Sequence, residues 1–165
     1  MPTHETRQRI DRLRQSMDEA LAGGETSGQR LQAVAEVLTN AFGGSRSLLG
    51  RVRGDSAAVV AGVGLGLAGI PVFAALPPGR GIVWRAVRTA ATQRVDDVLR
   101  DPDYFSVSAT TRSELVTPVL RNGRPVLTLN LESNRVGAFT AEDAEVLEAA
   151  ARWLARRIDR LGLGA

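Results

Sequence analysis

Whatever chemistry this chain does, it does without cysteine, without lysine and almost without histidine. The sequence has no Cys, and its one His is His4, in the first few residues. Disulfides, thiolate nucleophiles and Cys-ligated zinc or iron–sulfur centres are therefore excluded. With His4 as the only histidine, a Ser-His-Asp triad or a histidine metal cluster is nearly excluded, so no metal site is expected. Without Lys there is no Schiff-base chemistry and no P-loop lysine. Carboxylates remain. Glu114, Asp96, Asp97, Asp101 and Asp103 are the clustered acids that could act as general acids or bases. The same spacing also suits loop capping and turns. A second chemical feature is a polar strip, Val126, Thr128, Asn130 and Glu132, alternating with Leu127, Leu129 and Leu131. In a strand, that strip and the leucines lie on opposite faces. A polar strip in the middle of a sheet needs partners: ligand, water or loop.

The elements that would position these residues can be read from periodicity. The chain has 165 residues, 44% of them hydrophobic and 24% charged, which fits one globular domain. Ile10, Leu13, Met17 and Leu21 form a narrow helical stripe over residues 4 to 21. After Gly23-Gly24, Ser27 opens a second helix with Leu31, Val34, Ala35, Leu38 and Phe42 on one face, ended by Gly43-Gly44. Strands are expected at 46–53 and 56–63 around Gly54-Asp55. A short helix at 81–90, a short strand from Gln93 to Val95 and a long loop from Asp96 to Thr111 follow. Strands 113–121 and 124–132 flank Asn122-Gly123, a strong hairpin signal. Thr140 to Asp143 then resembles a capping box, with Phe139 as a hydrophobic staple, for a helix from 141 to about 161.

The uncharged run from Ala57 to Leu76 is long enough to cross a bilayer, but its glycines and Pro71 disfavour a helix, and it reads as bent strand and loop. Its Gly64-Leu-Gly66-Leu-Ala-Gly69 matches the dinucleotide fingerprint in form, without the helix or the later acid that the fingerprint requires. The 21 basic residues, all Arg, against 18 acids give a dispersed net charge of +3, a poor footprint for nucleic acid. No membrane span and no nucleic-acid partner are expected. The polar opening MPTHETRQRIDR has no signal-peptide core, so a cytoplasmic location is expected. Met1 and the Gly-Leu-Gly-Ala tail suggest a complete short product.

Several strings, in order, resemble a GAF domain over roughly residues 25 to 161. They are Gly81-Ile-Val-Trp-Arg-Ala-Val-Arg-Thr89, Asp97-Val98 leading to Asp101-Pro-Asp-Tyr104, Arg112-Ser-Glu-Leu-Val-Thr-Pro-Val119, Val126-Leu-Thr-Leu-Asn-Leu-Glu-Ser133 and Gly137-Ala-Phe-Thr-Ala-Glu-Asp143. The resemblance implies an α+β, PAS-related fold. Its antiparallel sheet of about six strands carries the N- and C-terminal helices on one face, with a short helix and long loops over a ligand pocket on the other. The domain would span 25–165, with 1–24 as a dimerisation or signalling helix. Candidate ligand-binding residues are Phe73, Trp84, Arg88, Tyr104, Phe105, Arg112, Thr117, Thr128 and Asn130. Trp84 either faces the pocket or caps its helix or contacts a second subunit. Tyr104 and Phe105 either form a lid or anchor their loop. Arg80, Arg85, Arg88, Arg94, Arg100 and Arg112 either favour an anionic ligand or are dispersed surface charge.

Family activities carry over unevenly. Free methionine sulfoxide reductases of this fold work through cysteines, and this chain has none, so that activity is refused. Bilin-bearing members use Cys and haem-sensing members use His, so neither cofactor is expected. Asn134-Arg135, Phe139 and Asp143 match four of the five positions of the NKFDE motif of cyclic-nucleotide-binding members, with Arg135 positioned to pair with Asp143. The expected function is a non-enzymatic sensory module of bacterial-type signal transduction. It would bind an unidentified small molecule, form a homodimer through its terminal helices and act on an output protein in trans. A ligand-free scaffold and a cyclic-nucleotide-binding domain are the alternatives, and a carboxylate enzyme is a third reading.

Overall fold

The computed structural model describes residues 1–43, 45–64, 76, 78–106 and 108–163. Helices α1 (His4–Gly23) and α2 (Ser27–Ala41) come first, then hairpin strands β1 (Arg46–Arg53) and β2 (Ser56–Val63), helix α3 (Ile82–Thr89) and strand β3 (Gln93–Val95). A single 3-10 turn, Val98–Arg100, interrupts the long loop before β4 (Ser113–Arg121), β5 (Arg124–Ser133) and α4 (Ala141–Ala155). Among the described residues five strands form one antiparallel sheet in the order β2-β1-β5-β4-β3, in keeping with the expected sheet of about six. Residues 65–75 of the Ala57–Leu76 run lie outside the described residues, and its first part is in β2. No helix among the described residues is long and apolar enough to cross a membrane.

The turn and cap chemistry accounts for the boundaries. Asn122 and Gly123 both take positive φ, 51° and 76°, the pair that a two-residue type I′ hairpin needs. The α2 capping box is made by Thr26, one residue before the expected Ser27, with Gln29. Thr140 and Asp143 make the second, at α4.

Leu127, Leu129 and Leu131 of the central strand are fully buried under α1, α2 and α4, together with Leu115 and Val119 of β4. The α1 stripe is part of this core. Leu13, Met17 and Leu21 are buried, α1 packs on α2 and α4, and Arg9 reaches Asp143 at 2.6 Å. The stripe is therefore covered within one chain and needs no second copy. The two apolar faces of α4 have the same explanation, since β4 lies on one side of it and α1 on another. The helix expected to reach 161 stops at Ala155. The chain bends there, so that Ile158, Leu161 and Leu163 turn into the core beside α2, where Arg30 holds the Arg160 carbonyl at 2.9 Å.

If α1 belongs to this core, Met17→Ala lowers unfolding stability by about 2–5 kcal/mol. Urea titrations at low and high protein concentration should give the same loss, and a concentration-dependent loss would place α1 in an interface between copies.

Candidate functional site

On the face of β5 away from the helices, Thr128, Asn130 and Glu132 are buried at 1%, 4% and 1% exposure. Register supplies their neighbours. Glu114 stands directly opposite Glu132 and Val116 opposite Asn130 on β4, while Leu48 and Gly50 of β1 flank Asn130 and Thr128. Gly50 is required by close approach, because a Cβ there would lie 2.5 Å from Thr128 Oγ1. The first turn of α3 lies over the strip. A cleft of about 580 Å³, counted with its open mouth, separates them, and its walls include Leu48, Val59, Ile82, Trp84, Phe105 and Glu114.

The loop above the cleft is tied down by ion pairs. Arg85 of α3 grips Asp101 through two bonds of 2.9 and 2.7 Å, reaches Asp103 at 3.0 Å and donates to Gln93 at 2.9 Å. Its guanidinium holds the Asp101 carboxyl below the usual carboxylate range. Asp97 caps the 3-10 turn through the Leu99 amide and pairs with Arg112 at 3.4 Å, and Asp96 pairs with Arg94. The loop acids are thus structural, and Glu114 alone of the clustered acids reaches the cleft.

Like charges directly opposite across a ladder repel, and burial makes this pair harder to ionise. Glu132 has help: Thr111 donates to it at 2.8 Å and Arg46 lies 3.7 Å away. Glu114 has the Asn130 amide and the more distant charge of Arg85, against desolvation, the neighbouring Glu132 and Asp101. Its carboxyl is pushed well above its ordinary value of 4.5, first by burial and then by Glu132. Glu132 is raised as well, first by burial, but Thr111, Arg46 and Asn130 oppose the shift. The two carboxyls titrate as a coupled pair in which Glu114 holds its proton to higher pH than Glu132. Two further groups in the cleft lack partners. Asn130 Oδ1 is a buried acceptor with no donor, and Trp84 Nε1 is a buried donor with no acceptor.

Four of the expected ligand residues, Trp84, Phe105, Thr128 and Asn130, line this cleft. Tyr104 does not; it anchors the loop in a small apolar cluster with Ile82, Ala86, Val95, Val98 and Val116. Arg88 turns outward and donates to the Gly79 carbonyl at 2.7 Å, and Arg112 is held by Asp97. Thr117 lies on the helix side of β4, in the same alternation as Leu115 and Val119, bonded to Thr92 at 3.0 Å. Phe73 lies outside the described residues. Val126, grouped with the strip by alternation, packs against the main core instead. Arg135 does not meet Asp143, which Arg9 and the Thr140 cap have taken. The central residues that the list of ligand candidates missed are Glu114 and Glu132. The signal for Glu132 was its place in the β5 alternation, and for Glu114 its place one strand away.

The GAF domain family model matches residues 25–159, and the chain belongs to that family. Protein ZMO0507 of Zymomonas mobilis is 38% identical over 71 residues, 42% of this chain and 44% of that protein. The free methionine-R-sulfoxide reductase of Escherichia coli is 32% identical over 72 residues, 44% of each chain. The matched stretch thus spans a little under half of each of these curated relatives. In fold, the chain resembles the free methionine-R-sulfoxide reductase from Neisseria meningitidis, solved in complex with its substrate. The TM-score is 0.81 and identity 23%, covering 100% of this chain and 96% of that one.

These likenesses correct the expected function. A non-enzymatic, signal-transducing sensor was expected, yet the chain resembles enzymes in both sequence and fold. The reductases had been set aside for want of cysteine. A missing cysteine bears on the source of thiol, whereas the likeness extends across the fold that builds the pocket.

A folded carboxyl titrating above its unfolded value contributes stability at low pH that is lost as pH rises through the folded value. Without ligand, the protein should therefore melt at falling temperature as pH rises above the usual carboxylate range. Glu114→Gln, which keeps the shape and removes the titration, should flatten most of that slope and leave the smaller share of Glu132. Thermal melts across a pH series check this, and an unchanged slope in the variant would place the titration elsewhere.

Proposed function

We propose that this chain is a GAF domain of the free methionine sulfoxide reductase type, whose cleft holds a small zwitterionic amino acid of the methionine sulfoxide class. One observation carries the reading: an apolar cleft containing a buried carboxyl pair with room for one more positive charge, beside an acceptor and a donor that both lack partners. An ammonium group satisfies Glu114, Glu132 and Asn130 Oδ1 together, and its charge draws the proton off Glu114. An oxygen on the same ligand accepts from Trp84 Nε1. Arg80, exposed at the mouth and without a carboxylate partner among the described residues, is placed to meet the ligand's carboxylate. Leu48, Val59, Ile82 and Phe105 offer an apolar wall to the thioether part.

Reducing a sulfoxide to a sulfide consumes two thiols and releases one disulfide and one water. With no cysteine in the chain, both thiols come from a second molecule. The residues here bind and orient the amino acid.

Calorimetry with free methionine R-sulfoxide should show saturable binding with net proton release, seen as a heat that depends on the ionisation enthalpy of the buffer. Glu114→Gln should weaken binding by about tenfold or more, since a charge-assisted hydrogen bond is lost. Turnover should occur only with added dithiol. Absence of saturable binding by the folded wild-type protein would overturn the reading.

A further inference from the structure

A second cleft opens where the start of β1 meets the end of β5 and the turn before α4. We propose that it binds a small oxyanion of the phosphate class, with the Arg135 guanidinium, Arg46 Nε–H and the Ser45 hydroxyl as its donors.

The walls of this cleft are polar where those of the first are apolar. Phe42, Ser45, Arg46, Ser133, Asn134 and Arg135 line it, and Glu132 borders both clefts. Two buried donors have no partner: Arg46 Nε and Ser45 Oγ. The other end of Arg46 is held in place, since its Nη atoms donate to Thr110 at 2.5 Å, Thr111 at 2.6 Å and Ser108 at 3.4 Å and lie 3.7 Å from Glu132. These contacts fix the guanidinium and leave Nε–H buried without a partner. Arg135 enters for a related reason. The carboxylate that spacing assigns to it, Asp143, is bound by Arg9 at 2.6 Å and by the Thr140 cap. Arg135 therefore borders the cleft without a carboxylate partner among the described residues.

Two guanidinium groups and a hydroxyl around one space favour a group with several acceptor oxygens and negative charge. Glu132 selects among such groups. Its carboxylate repels a fully deprotonated anion but accepts from a P–OH, which phosphate carries near neutral pH and sulfate does not.

The test uses the full chain and inorganic phosphate at constant ionic strength, read by calorimetry and by thermal melts. Phosphate should bind saturably and more tightly than sulfate. Arg135→Gln should weaken it by about tenfold or more, and Ser45→Ala should weaken it without involving an exposed charge. Glu114→Gln, in the first cleft, should leave phosphate binding intact, so failure of this proposal and failure of the amino-acid reading are separable. Methyl phosphate binding more tightly than inorganic phosphate would assign the site to a phosphomonoester, and the reverse order to free phosphate. No saturable phosphate effect, equal binding of sulfate, or unchanged binding in both Arg135→Gln and Ser45→Ala would overturn the assignment.

Discussion

Glu114 and Glu132 face each other across the two neighbouring strands β4 and β5, both almost fully buried, and much of the surrounding structure follows from making that position tenable. Two buried carboxylates cannot both ionise at close range without a large penalty. The fold resolves this by asymmetry. The end of the long loop brings Thr111 to Glu132, and Arg46 arrives from the first residue of β1. Glu114 receives no cation of its own at hydrogen-bonding range and holds its proton to higher pH. Asn130, one alternation further along β5, shares its amide between the two carboxyls and leaves its carbonyl oxygen without a donor.

That arrangement needs a sheet with no solvent face around its centre. On one side the leucines of β5 sit under three helices, and α1 is one of them. On the other side the cover among the described residues is the short helix α3, the loop that follows β3 and Leu76, and the cleft lies beneath them. The bidentate Arg85–Asp101 contact joins α3 to its loop. Phe105 and the first turn of α3 are thereby held at the mouth, and Gly81, with φ of 93° at the start of α3, lets the chain pass close to Phe105.

Much of this was legible in the residues. The β5 alternation separated the leucine face from the polar strip, Asn122-Gly123 located the hairpin, and Thr140 with Asp143 located the start of α4. The site pair was harder to read for a specific reason. Counting back from the two-residue turn, an unbroken ladder pairs Thr117 with Thr128 and sets both toward the pocket, while Glu114 falls opposite Leu131 on the helix side. The ladder is broken between Val119 and Leu120, where the register shifts so that Val126 has no partner. Pro125 precedes it and has no N–H to give the ladder, which suits a bulge at that point. Because side chains alternate with period two, one extra residue exchanges the faces. Glu114 moves into the cleft, Thr117 moves to the helices, and Val126 joins the main core. The arginines were illegible for another reason: spacing offers each one several acids, and the choice is made by distant segments. Arg9 of α1, far away in sequence, takes the acid that local spacing assigns to Arg135.

The same separation between local signal and assembled site governs how far a missing residue type restricts function. Cysteine is a local requirement for supplying electrons. The groups proposed to recognise a zwitterion are distributed over β4, β5, α3 and a loop, each contributing one chemically distinct group: an acid, an amide, an indole N–H and an apolar wall. A thiol can arrive on another molecule, but a buried carboxyl pair cannot, because its properties depend on the low-polarity surroundings that hold it. The costly part of such a site, two carboxyls kept dry at facing positions of neighbouring strands, is built into this chain, and an ammonium group is the simplest species that relieves it.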